Sequence, residues 1–175
     1  MQSPKRKPIK MKQTAILLLN VLIALADQVC FSQTDSRSIS FTDLENKFSR
    51  HSSDFSQFVN ALSGVEKQIA MEFRRRASES SSECQVLFEE CLILKIISNE
   101  KEKEAVQTIV TRRIKFTSEA ADLRLKHINE MLPLTKNTAV VVQANKLRDD
   151  LRALKETLQT LSGWLSNPAA KSENK

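Results

Sequence analysis

A chain of 175 residues with 41% apolar content suits one domain able to bury about two-thirds of its unfolded surface. Two glycines, four prolines and no tyrosine, beside frequent Leu, Glu, Lys, Gln and Ala, favour helix over sheet. The formal charge of +6 belongs to an N-terminal arm: Lys5, Arg6, Lys7, Lys10 and Lys12 precede the first acid, Asp27. The other 22 basic side chains meet 21 acidic ones, which leaves +1 and excludes a general attraction to nucleic acid or anionic membrane.

That arm opens the first element. A cationic stretch, an apolar run from Ala15 to Ala26 and the small residues Ala24 and Ala26 predict a signal peptide over 1–26, cleaved before Asp27. The run is about 12 residues, short of the roughly 20 that cross a bilayer as a helix, so no permanent membrane anchor is expected. Met11 offers a second start, with MKQTAILLLNVLIALA as a more ordinary leader. The alternative is a retained N-terminal helix, on which Gln13, Asn20 and Asp27 form one narrow polar stripe. In that alternative SPKRK, residues 3–7, has the character of a nuclear-import cluster.

A polar, Ser-rich linker follows over 27–39. The first long helix starts at Phe41, with Ser40 as its cap, Asp43 in the reciprocal position, and Ile39 and Leu44 placed for a hydrophobic staple. Phe41, Phe48, Phe55, Leu62 and Ile69 then recur at one heptad position, with Leu44, His51, Phe58 and Val65 at the other. Because this phase survives Gly64, the helix is expected to continue, at most kinked, to Arg74, Arg75 and Arg76 at its C-terminus. His51, on the seam, is expected as a hydrogen-bonded core or boundary histidine.

A second helix is predicted from near Ser82, after the Ser-rich ASESSSE, carrying Val86, Leu87, Leu92, Ile93, Leu94, Ile96 and Ile97. SNEKEKE, residues 98–104, reads equally as a turn or as an exposed helical bridge. The third helix has two apolar rows, one through Ile109, Phe116, Ala120 and Leu123, the other through Val110, Ile114, Ala121, Leu125 and Ile128. That width predicts packing against more than one neighbour. Pro133 ends it.

The fourth helix places Val140, Leu147, Leu154 and Leu161 at one heptad position and Ala144, Leu151, Leu158 and Leu165 at the other. Leu147, Leu151, Leu154, Leu158 and Leu161 are therefore the candidate interaction seam. Gly163 is expected to stop the helix in a left-handed conformation, with Trp164 folding back, before a flexible tail over 166–175. Stretches 104–131 and 136–162 are expected to form an antiparallel hairpin.

Chemistry is sparse. His51 and His127 sit in no metalloprotease, triad or Cys-His pattern, and Gly64 and Gly163 are too isolated to build a phosphate loop. No catalytic, cofactor-binding or metal-binding residue is predicted, and no cofactor. Cys84 and Cys91 are seven residues apart, about 10.5 Å along a helix, too far for a disulfide with each other. In an exported protein Cys30 would instead pair with Cys84 or Cys91; in a cytosolic or nuclear one all three would be buried thiols.

The expectation is therefore an all-α, elongated three- or four-helix antiparallel bundle over 40–165, with coiled-coil-like heptad seams. Its expected role is that of an exported, secreted or periplasmic, non-enzymatic protein that binds protein partners or forms a homo-oligomer, with no nucleic-acid partner. The main alternative is a nuclear or cytoplasmic coiled-coil subunit of a larger assembly, and a third reading is a secreted helical signalling factor.

Overall fold

A computed structural model describes residues 40–166. The signal-peptide and linker assignments over 1–39, Cys30 among them, and the tail over 167–175 lie outside the described residues. Within them the chain is all-α, with α1 over Phe41–Ala61, α2 over Gly64–Ile96, α3 over Glu100–Met131 and α4 over Thr138–Ser166. A short 3-10 turn, Leu132–Leu134, carries Pro133 between α3 and α4.

Each start has a local cause. The Ser40 hydroxyl accepts from the Asp43 amide at 3.1 Å, satisfying one of the free donors of the first turn of α1. Asn99 does the same for α3, its side chain accepting from the amides of Lys101 and Glu102. Asn137 caps α4 through the amides of Ala139 and Val140.

Gly64 breaks what the heptad phase predicts as one helix. Leu62 is extended and Gly64 has φ +57, a left-handed conformation that costs a residue with a β-carbon roughly 1–2 kcal/mol. The chain reverses there, and α2 runs back along α1. Phe55 and Phe73 meet at 5.5 Å between ring centres, and Ser81 Oγ donates to the Glu45 carbonyl across the pair. The apolar period continued through the turn only because both arms of the hairpin carry apolar faces.

Two further expectations fail within α2 and α4. The Ser-rich segment is mid-helix: Ser80 and Ser82 donate to the carbonyls of Arg76 and Ser78 four residues back, and small side chains let α1 approach. Arg74 to Arg76 therefore lie inside α2, not at a helix end. Gly163 keeps a negative φ, and α4 continues through it to Ser166. Residues 97–99 form the turn before α3, so the polar stretch divides between a connection and a helix start.

Every adjacent pair of helices runs antiparallel. α1 packs on α2 and α4, and α3 packs on α2 and α4, while the diagonal α2–α4 contact is slight. Arg113 with Glu90 and Arg124 with Glu83 fix the α2–α3 direction, Lys155 with Asp122 and Arg148 with Asn129 that of α3–α4, and Lys47 with Asp150 and Gln143 with Asp54 that of α1–α4. The result is an up-down-up-down four-helix bundle. Phe48, Phe55, Phe73, Ile69, Leu87 and Ile128 fill its interior, each contributing about 1.5–3 kcal/mol of transfer free energy. The α3–α4 connection is held by Glu66 near the start of α2, which accepts from the Lys136 amide at 2.7 Å and from the Thr135 hydroxyl. The Thr135 bond, then the Lys136 amide, holds the Glu66 carboxyl below its ordinary range.

Candidate interaction surface

The five leucines of the candidate seam, Leu147, Leu151, Leu154, Leu158 and Leu161, all face the interior of the bundle, with Leu161 the most exposed at 8%. A period of 3.5 residues marks a face that is covered and carries no information on whether the cover comes from the same chain. Here α1 and α3 supply it. Cys84 is a free thiol on the same kind of interior face of α2, and burial pushes its pKa well above the ordinary range, so it is unreactive as a nucleophile. Cys91 is also buried.

Two of the helix contacts carry polar networks. Between α1 and α4, the buried His51 donates from Nε2 to Asp150 Oδ2 at 2.8 Å. Its Nδ1 receives the amide nitrogen of Gln143 at 2.9 Å, and that amide also donates to Asp54 at 2.7 Å. Since a carboxylate only accepts, Gln143 must direct its NH₂ at Asp54 and at His51, which leaves Nδ1 as the lone-pair nitrogen of the ring. Burial pushes the Asp150 carboxyl up, but the hydrogen bonds from His51 and Lys47 and the charge of Lys47 outweigh that and hold it below its usual range. The expected bonded seam histidine is thus found.

Between α2 and α3, Arg124 is 5% exposed and forks onto Glu83, with Glu79 at 3.5 Å from its Nε. Arg76 bridges Glu72 at 2.7 Å and His127 Nδ1 at 2.7 Å, so His127 accepts there. A hydrogen bond from Arg75 first, then the charges of Arg76 and Arg75, keep the Glu72 carboxyl low against the opposing effect of burial. Both networks tie one helix to the next. Among the described residues no group of three or more His, Cys, Asp or Glu side chains is placed to hold a metal ion. No helix among them is long and apolar enough to cross a membrane.

The outer face of α3 departs from this economy. The row expected to pack on a neighbour, Ile109, Phe116 and Leu123, is 52%, 64% and 68% exposed, and only Ala120 within it is partly covered. The other row supplies the core through Val110, Ile114, Ala121 and Ile128. Phe116 and Leu123 are each followed by a buried polar residue, Thr117 at 0% and Arg124 at 5% exposure. Consecutive helical positions lie about 100° apart, so α3 turns large apolar groups outward at the two levels where it turns polar groups inward. Folding stability alone favours the reverse arrangement. Other large apolar residues, Met71 and Val142 among them, are also exposed.

Beside the row, between α3 and α4, runs an open groove of about 530 Å³ whose edge carries Arg112, Lys115 and Glu119 from α3 and Gln159 from α4. The row was visible in the sequence as one of two apolar faces. The ion pair of Arg124 with Glu83, on the side of α3 turned to α2, is one of the contacts that hold the other row inward. No family model, curated protein or solved structure matches the chain.

Proposed function

We propose that the protein is an exported, non-enzymatic helical bundle that acts by protein-protein interaction, with the outer face of α3 as its contact surface. The observation that carries this reading is the inversion at Phe116 and Thr117 and at Leu123 and Arg124, where the apolar member of each pair faces out. A helix face with apolar anchors every seven residues suits a second helix laid along it. Export rests on the basic arm, the apolar run Ala15 to Ala26 and the small residues before Asp27.

Both parts are open to direct test. Intact-mass measurement of the protein from its native host is expected to find a chain beginning at Asp27; residues 1–26 still attached would overturn export. A photoreactive residue at Phe116 of the full chain is expected to give discrete protein crosslinks in that host, and the same residue at exposed Glu156 on α4 is not. Absence of adducts at Phe116 would overturn the contact surface.

The thiol of Cys84, buried without a disulfide, favours a second reading: an intracellular coiled-coil subunit of a larger assembly, nuclear or cytoplasmic, with the N-terminal segment retained. Alkylation of native protein under denaturing conditions separates the two. Three reactive thiols support the intracellular reading, and a single one supports export with one disulfide.

A further inference from the structure

We infer that the outer face of α3 pairs with α3 of a second copy of this chain, antiparallel, about a two-fold axis at Phe116. This rests on the reading of that face as a contact surface and names its occupant.

The pattern along α3 is self-complementary about Phe116. A two-fold axis there sets Phe116 against Phe116 of the partner subunit, and sets Ile109 against Leu123 of the partner subunit, seven residues away on either side. The apolar row is therefore covered along its length by itself, with large residue on large residue. Isologous contacts of this kind are the commonest way soluble chains associate.

The flanking charges obey the same symmetry. Arg112 and Glu119 are exposed, and both stand on the α4 side of the row, on the edge of the same groove. They are seven apart, outside the three- and four-residue spacings at which helical side chains pair within one helix. An antiparallel two-fold lays this edge of one α3 along the same edge of the other. Arg112 then meets Glu119 of the partner subunit, and the pair occurs twice. A parallel pairing would put the two like edges on opposite sides of the seam, where Arg112 and Glu119 of the partner subunit cannot meet, so the charges favour the antiparallel arrangement. Outside the basic arm the charges nearly cancel, so long-range repulsion does not oppose a second copy.

Sedimentation equilibrium of the purified full chain over roughly 1–200 μM tests this, with helical content by circular dichroism confirming that each variant is folded. Phe116, Arg112 and Glu119 are exposed, so their substitution leaves the fold intact. The wild type is expected to reach the dimer mass within that range. Phe116→Lys is expected to weaken the dimer by at least about thirtyfold, the loss of a central aromatic anchor. Arg112→Glu is expected to weaken it about tenfold, and the double exchange Arg112→Glu with Glu119→Arg to restore it. A monomer at every concentration would overturn the inference, as would a dimer indifferent to Phe116→Lys or a double exchange that fails to restore association. Host crosslinks at Phe116 persisting beside a purely monomeric chain would sink the second copy and leave the contact surface standing with another protein partner. Absence of both would sink the two together.

Discussion

The guanidinium of Arg124 on α3 forks onto the carboxylate of Glu83 on α2, Nη1 lying 2.5 Å from Oε2 and Nη2 2.7 Å from Oε1. The guanidinium is nearly buried and Glu83 is largely so. Both ions have lost much of their hydration, and two charge-assisted hydrogen bonds replace it. Arg124→Leu is therefore expected to cost roughly 3 kcal/mol, because it leaves Glu83 largely desolvated and uncompensated, whereas Glu79 keeps its pair with Arg75. Arg124→Leu combined with Glu83→Leu is expected to cost less than the single change, since an apolar pair fills the same space with no stranded charge. Urea unfolding of the three variants checks this, and a double variant less stable than the single would refute it.

Asp150 ties the bundle to pH. Its folded pKa lies below the usual carboxylate value of about 3.9. The unfolded chain therefore binds the proton more readily, and stability rises with pH across this region. The contribution is complete above the unfolded pKa and is lost as pH falls through the folded one. Asp150→Asn is expected to lower stability by about 1–3 kcal/mol at pH 7, through weakened bonds to His51 and Lys47, and by little at pH 2. Thermal midpoints of both proteins from pH 2 to 7 would decide it, and a constant gap would exclude Asp150 as the group responsible.

Gly64 is the point where periodicity misleads. Leu62, Val65 and Ile69 prolong the heptad phase of α1, yet the backbone turns at a φ of +57. A heptad pattern reports which side chains are apolar and is silent on whether the chain reverses between them. A β-carbon at Gly64 would meet no atom within 4 Å, so conformation alone resists substitution. Gly64→Ala is expected to cost about 1–2 kcal/mol, and Gly64→Asn less, since Asn tolerates the left-handed region. Equal losses in chemical denaturation would point away from the backbone as the cause.

Other parts of the fold were legible for clear reasons. Ser40 caps α1 as its side-chain chemistry requires, and the α4 leucines from Leu147 to Leu161 are buried as their spacing requires, with Leu165 only partly covered. Serine propensity alone, by contrast, misplaces residues 77–83, because hydroxyls that donate to carbonyls one turn back carry little penalty once α1 packs over them. The exposed apolar face of α3 lay between these cases. Both apolar rows show in the sequence, but which one faces out is set by contacts made across the bundle, such as that of Arg124 with Glu83, 41 residues distant in the chain.

Thr117 exposes the cost of that choice. Its side chain is fully buried on α3 and its hydroxyl has no hydrogen-bond partner among the described residues, while its neighbour Phe116 faces solvent. A buried hydroxyl without a partner loses its hydration with no return. Replacing the hydroxyl by a methyl group of similar size keeps the shape of the core and removes that loss. Thr117→Val is therefore expected to stabilise the protein by about 1 kcal/mol, with an unchanged denaturant slope. Its effect on self-association should be nil, because residue 117 points into the bundle. Stability measured by urea unfolding, alongside mass by sedimentation, tests both halves. A destabilised variant would mean that the hydroxyl is satisfied in solution, and one with altered association would mean that core and contact face are coupled through α3.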